Sequence, residues 1–106
     1  MQEVRRNDPS QSHLIKEVQI IPVKPTEGIV GFASFVFNNS LYLGSIAIVT
    51  RPEGGFRLLY PTKKVGGSSL NVFHPVNRKV GDYIEQIVLE KYQEVMTKAR
   101  ADAYQT

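Results

Sequence analysis

A chain of 106 residues has the length of one domain, and 42% hydrophobic with 22% charged residues is an ordinary globular composition. Because the chain contains no cysteine, a disulfide framework, a thiolate nucleophile and a cysteine-ligated zinc site are excluded. No apolar run is long enough to cross a bilayer, and the first residues lack the pattern of a secretory signal. We therefore expect a cytoplasmic protein without a membrane partner.

The net charge of +3 is unevenly distributed along the chain. Residues 1–50 are neutral overall and residues 80–106 sum to −2, whereas residues 51–79 sum to +5 with Glu53 as their one acid. The six basic side chains of the middle segment are Arg51, Arg57, Lys63, Lys64, Arg78 and Lys79. A concentrated positive field is typical of proteins that bind phosphate backbones, although acidic proteins and membranes are also attracted to it.

The first two segments of the chain differ in hydrophobic pattern. Residues 1–14 are polar and aperiodic, which predicts a flexible N-terminal arm. Residues 15–23 alternate so that Val18 and Ile20 share one face, which predicts a half-buried strand, and Pro22 indicates its end or a sheet edge. Residues 24–28 then predict a turn.

Three further strands are predicted in the middle of the chain. Residues 29–37 are rich in β-branched and aromatic side chains, and residues 38–39, both asparagine, favour a hairpin turn. Residues 41–50 return as a strand that is apolar on both faces, which places it centrally or at an interface. After a turn at residues 51–55, residues 56–60 form a fourth short strand.

The last third of the chain predicts a loop, a short strand and a helix. Residues 61–69 contain glycines and two adjacent lysines and are interpreted as a flexible excursion, and residues 70–73 as a short fifth strand. Asn77 is a good helix N-cap. Apolar residues at spacings of three, four and seven then predict an amphipathic helix from about residue 78 to about residue 100.

Antiparallel strands followed by a single helix predict an α+β fold. We expect a small antiparallel β-sheet of four to five strands with the C-terminal amphipathic helix packed on one face. The expected organisation is an arm at residues 1–14, one domain at residues 15–100 and a tail at residues 101–106.

The sequence offers little for catalysis or for metal binding. His13 and His74 are the two histidines, no serine lies in a Gly-x-Ser-x-Gly turn, and the acids show no ligand spacing. Residues 66–69 are rich in glycine and serine but lack the order of a phosphate-binding loop, and we interpret them as a flexible hairpin tip. We interpret His74 as part of the turn before the helix, and we expect no enzyme activity, no metal site and no cofactor.

The basic residues are the stronger candidates for a site. Lys63 and Lys64 are expected in a glycine-containing loop that can adapt to a phosphate backbone, and the other candidates lie in adjoining elements. Main-chain N–H groups at the start of the helix add to the attraction of an anion there. The predicted nucleic-acid-binding residues are Lys63, Lys64, Arg57, Arg51, Arg78 and Lys79. Two adjacent lysines are also a common feature of a solvated surface, so both interpretations stay open.

Three aromatic side chains lie close to the basic residues in sequence. Phe56, Tyr60 and Phe73 are placed to stack on unpaired bases, or alternatively to form part of the hydrophobic core.

One ordered pair of motifs resembles the SpoVG family. Pro61-Thr62-Lys63-Lys64 is followed after a spacer by His74-Pro75-Val76-Asn77 and a helix, and the likeness extends over about residues 17–95. It implies a cytoplasmic protein that binds DNA or RNA, affects gene expression, influences septation or sporulation, and assembles as a dimer. It assigns nucleic-acid contact most directly to Lys63 and Lys64, and structural roles to the His-Pro-x-Asn step.

The chain also departs from the family pattern. Residues 66–71 replace the acidic-Gly turn and the basic residue that many relatives have before the His-Pro pair, and residues 1–14 look additional. We favour a nucleic-acid-binding regulator whose basic patch is doubled in a homodimer. The alternative is a protein-interaction module that uses a sheet edge or a helix face.

Overall fold

The structure, a computed structural model, describes residues 14–105, with side chains over residues 14–100. The expected N-terminal arm, apart from Leu14, lies outside the described residues, as does residue 106 of the expected tail.

Across residues 14–105, six strands precede a C-terminal helix. The elements are β1 (Ile15–Thr26), β2 (Ile29–Phe37), β3 (Leu41–Thr50), β4 (Phe56–Leu59), β5 (Thr62–Val65), β6 (Ser68–Asn71) and α1 (Arg78–Gln105). The first four strands form one antiparallel sheet in chain order, and β5 pairs with β6 in a separate two-stranded sheet. The predicted α+β class is therefore confirmed.

Four register shifts in the sheet affect which side chains face the helix, and two of them occur at residues with positive φ angles. Glu17 in β1 and Ser45 in β3 have positive φ angles of 54° and 60°, and the strand register shifts at both places. In β3 the shift lets Leu43 and Ile46 both face α1, although a regular strand would send residues three apart to opposite faces.

The core lies between one face of the four-stranded sheet and α1. Its fully buried large side chains are Phe35, Ile46, Ile48 and Val88. Ile84, Val88 and Tyr92 follow at intervals of four on the helix and form the buried part of its predicted apolar stripe. Burial of each large apolar side chain stabilises the fold by about 1.5–3 kcal/mol, so this layer holds the domain together.

Several predicted boundaries agree with the structure. The bounds of β2 and β3 match, and Asn38 and Asn39 adopt left-handed φ angles of 54° and 55° in the turn between them. The helix begins at Arg78 after the predicted cap, because Asn77 Oδ1 accepts a hydrogen bond from the Val80 N–H at 3.1 Å. The helix continues to Gln105 instead of ending near residue 100.

Two predictions for loops are wrong. The excursion predicted at residues 61–69 contains strand residues, because β5 and β6 form a hairpin. Its turn at residues 66–67, with Gly66 at a φ of 62°, lies within the hairpin tip predicted at residues 66–69. The short strand begins at Ser68 and ends at Asn71 instead of occupying residues 70–73. The predicted turn at residues 24–28 is also shorter, since β1 continues to Thr26, which pairs with Ile29.

Over residues 14–105, no helix has the length and the apolar character needed to cross a membrane.

Candidate nucleic-acid interface

The hairpin of β5 and β6 separates the two adjacent lysines. Lys63 pairs with Leu70, and Lys64 pairs with Ser69. Because side chains alternate along a strand, the two ammonium groups point to opposite faces of the hairpin. The two lysines, predicted as one pair, therefore present their charges on two different surfaces of the hairpin.

The two faces of this hairpin differ in chemistry. Lys64 shares its face with Thr62, Ser69 and Asn71, which offer hydroxyl and amide groups, and we call this the polar hairpin face. Lys63 shares its face with Val65, Ser68 and Leu70, which we call the apolar hairpin face. All residues of both strands are exposed, and neither strand contains an acid.

The two arginines predicted before the hairpin have different surroundings. The Nε group of Arg51 donates to the Phe56 carbonyl at 3.2 Å, and its guanidinium lies 3.6 Å from the Glu53 carboxylate. Arg51 is thus engaged within the turn between β3 and β4 and its charge is partly neutralised. Arg57 pairs with Val49 and lies on the side of the sheet away from α1.

Arg78 and Lys79 are brought together at the start of α1, where both are exposed. The first turn of the helix contains no acid, so the two cations reinforce the positive end of the helix dipole. His74 is exposed, and its Nδ1 lies 3.1 Å from the carbonyl oxygen of the adjacent Pro75, a contact within the turn before the helix.

The aromatic side chains singled out in the sequence lie against the core. Phe56 makes an edge-to-face contact with Tyr92, with ring centroids 5.1 Å apart, and Tyr60 makes one with Phe73 at 5.9 Å. Of the two interpretations of these rings, the structure supports the core and not base stacking, because all three pack against the buried cluster.

Tyr60 has a pKa that is shifted from its ordinary value. Burial, together with the negative charge of Glu85, raises the pKa of Tyr60 to about 12. Its hydroxyl is buried and has no hydrogen-bond partner within the described part of the chain. Glu85 also reaches the sheet edge, where its carboxylate accepts a hydrogen bond from the Leu58 N–H at 3.4 Å.

The side of the four-stranded sheet away from α1 was not identified from the sequence as a site, and we call it the open face. In cross-strand register its rows are Lys16, Val36 and Tyr42; Gln19 and Ser34; Ile21, Phe32, Ala47 and Leu59; and Ile29, Val49 and Arg57. Phe32 and Tyr42 expose 36% and 72% of their surface. The alternation of β2, in which Phe32 and Ser34 share a face opposite Ala33 and Phe35, is the sequence signal that could have identified Phe32.

Fold and surface together define a small α+β domain with one helix over an antiparallel sheet and an exposed basic hairpin. The sequence model of the SpoVG family matches residues 14–94. The chain therefore belongs to the SpoVG family, as its motifs predicted.

Curated relatives agree with this assignment. The SpoVG septation protein of Archaeoglobus fulgidus is 35% identical over 81 residues, which cover 76% of this chain and 94% of that protein. The SpoVG septation protein of Phytoplasma australiense is 27% identical over 88 residues, covering 83% of this chain and 92% of that protein. That of Caldicellulosiruptor saccharolyticus is 24% identical over 83 residues, covering 78% and 94%.

Proposed function

We propose that this SpoVG-family protein is a cytoplasmic, non-enzymatic regulator that binds DNA or RNA and affects gene expression in septation or sporulation. The observation that carries the proposal is the polar hairpin face. There the Lys64 ammonium is exposed beside hydroxyl and amide groups, on a hairpin without acids. Ammonium, hydroxyl and amide groups are the donors that proteins use most often toward phosphate oxygens.

The start of α1 supplies a second contact in this proposal. Arg78 and Lys79 add two exposed cations to a helix end that is itself positive. Arg57 adds a cation on the open face. Arg51 contributes less, because its guanidinium already interacts with Glu53 and with the Phe56 carbonyl.

The proposed assembly is a homodimer formed through the apolar hairpin face. Val65 and Leu70 on that face expose 51% and 52% of their surface, although two-stranded hairpins are only marginally stable by themselves. Cover from a second copy would remove this apolar surface from water and leave the polar hairpin face free. Two copies would also present two basic faces to one polyanion, which raises avidity.

A titration across salt concentrations tests the proposed function. Labelled DNA and RNA oligonucleotides, single-stranded and duplex, should bind with an affinity that falls linearly on a log–log plot against salt. Lys64→Ala should reduce the slope by roughly one unit, as expected for the loss of one phosphate contact. Lys98→Ala is the matched control, since it removes the same charge from an exposed position of α1 outside the hairpin.

The competing function, a protein-interaction module, predicts a different result. Either no oligonucleotide binds, or the binding is insensitive to salt and unchanged when Lys63 and Lys64 are both replaced. Such a result would remove the electrostatic mechanism and favour a protein partner at a sheet edge or on the helix.

A further inference from the structure

The open face contains a shallow pocket between its two exposed aromatic rings. Phe32 and Tyr42 contribute to the walls of this pocket, which has a volume of about 410 Å³. Gln19, Ser34 and Ser45 also line it and offer one amide and two hydroxyl groups. Two aromatic rings beside a few polar groups form a surface that suits a flat, partly polar group.

The Tyr42 ring rests against the backbone of its own strand. It lies against Gly44, where an added Cβ would come within 3.1 Å of ring atom Cε2. Because glycine has no side chain, the ring can rest along β3 while most of its surface stays exposed. A ring positioned in advance loses little conformational entropy when it stacks against a ligand.

The two charged residues at the paired positions of the open face are both cations. Lys16 lies in the same cross-strand row as Tyr42. Arg57 lies in the row next to the one that contains Phe32. The paired positions of the open face contain no carboxylate among the described residues, and Glu17 lies at the bulge of β1. On the other side of the sheet, α1 has charges of both signs over residues 78–100: the acids are Asp82, Glu85, Glu90 and Glu94, and the cations are Arg78, Lys79, Lys91, Lys98 and Arg100.

We propose that the pocket between Phe32 and Tyr42 binds an unpaired base of a single-stranded nucleic acid, with Lys16 and Arg57 contacting its backbone. Aromatic side chains that stack on bases, flanked by cations that follow the phosphates, are the general means by which proteins hold single strands. The proposal rests on the proposed nucleic-acid function, but it uses residues that the hairpin contact does not need.

A polyanion suits the charge of this face. Lys16 and Arg57 have no carboxylate beside them at the paired positions of the described strands, and phosphate groups would supply the missing negative charge. A second copy as the occupant is a separate outcome of the light-scattering measurement below.

Binding of single strands, compared with duplexes of the same sequence, tests the proposal. Fluorescence anisotropy with a 12-nucleotide oligothymidylate, an oligouridylate and a duplex would give the affinities. Tyr42→Ala should weaken binding of both single strands by about 5- to 100-fold and leave the duplex unchanged, because stacking contributes on this scale. Tyr42→Phe should retain the affinity, and Gly44→Ala, which displaces the ring, should reduce it in the same direction as Tyr42→Ala.

A fluorescent reporter gives a direct signal of stacking. The chain contains no tryptophan, so Tyr42→Trp introduces a single indole whose emission a stacked base should quench. Quenching should follow the binding curve of the single strands and be absent with the duplex.

Three results would overturn the proposal. Single-strand affinity that is equal in Tyr42→Ala and the unmodified protein, but lower in Lys64→Ala, refutes the pocket and keeps the proposed function. Failure of every oligonucleotide to bind the unmodified protein refutes both. Conversion of a dimer to a monomer by Tyr42→Ala in light scattering assigns the open face to contacts between copies. Circular dichroism of each variant would confirm that it is folded.

Discussion

The layer of sheet and helix and the β5–β6 hairpin obey different physical rules. In the layer, Phe35, Ile46, Ile48 and Val88 are fully buried, and strand register determines which residues reach the helix. In the hairpin every residue is exposed, and each strand is four residues long. The layer is therefore expected to determine stability, whereas the hairpin is expected to determine what the protein binds. Substitutions in the two regions should separate these properties.

The largest expected effect is on the stability of the layer. Phe35→Ala should lower the free energy of unfolding by about 3–5 kcal/mol, because it removes a fully buried ring and leaves a cavity between the sheet and α1. Urea unfolding followed by circular dichroism measures this. Lys64→Ala in the hairpin is the control and should change the free energy of unfolding by less than about 0.5 kcal/mol. Similar losses in both variants would contradict the division between the two regions.

The next effect concerns the apolar hairpin face. Leu70→Ala should raise the dissociation constant of the dimer by about tenfold, since it removes part of an apolar side chain from the proposed contact between copies. Sedimentation velocity over a range of concentrations measures the constant. Ser69→Ala, one position away on the polar hairpin face, is the matched control and should leave the dimer unchanged. An unmodified protein that is monomeric at all concentrations would remove this proposal.

A smaller effect is expected where the hairpin segment joins α1. Asn77→Ala should cost about 1 kcal/mol of stability, because it removes the acceptor for the Val80 N–H in the first turn. Asn77→Asp should retain most of the stability, since a carboxylate also caps a helix. Thermal unfolding of the two variants measures this difference. If any substitution at this position were harmful for another reason, both variants would lose the same stability.

The smallest effect depends on pH and on Tyr60. The pKa of Tyr60 is raised to about 12 from 10.0, so its neutral form is favoured in the folded state. The stabilisation that accompanies this raised pKa is fully present below about pH 10 and is lost as the pH rises toward about 12. The reason is that the tyrosine hydroxyl releases its proton at a lower pH in the unfolded chain than in the folded protein. Tyr60→Phe should therefore become more stable relative to the unmodified protein between pH 9 and pH 12. If the urea midpoints of the two proteins changed by the same amount with pH across this range, the prediction would be wrong.

Much of the fold could be predicted because its signals are local. Asn38 and Asn39 favour left-handed backbone geometry, and Asn77 can cap a helix, so the structure shows a turn and a helix start at those positions. The tip of the β5–β6 hairpin was predicted from its glycines, but its two strands were not assigned correctly. Both strands are short and polar, so they lack the apolar alternation by which a strand is recognised in a sequence.

The candidate sites were harder to predict because they depend on which face of a strand is covered. Phe56 and Tyr60 were considered for base stacking, but they pack against the core. Phe32 was not singled out, although it lies on the open face. The bulges at Glu17 and Ser45 exchange the two faces along a strand, and a period-two pattern read from the sequence does not reveal such exchanges.

The sequence by itself determined the fold class, the family, the starts of β1 to β4 and of the helix, and the concentration of positive charge in residues 51–79. These properties depend on neighbouring residues in the chain or on composition. The tertiary structure decided that Lys63 and Lys64 point apart, that Arg51 interacts with Glu53, and that aromatic rings and cations share the open face. The first two depend on the local geometry of a hairpin and a turn. The third depends on strand register and on the position of α1, which together leave residues distant in the sequence on one uncovered face.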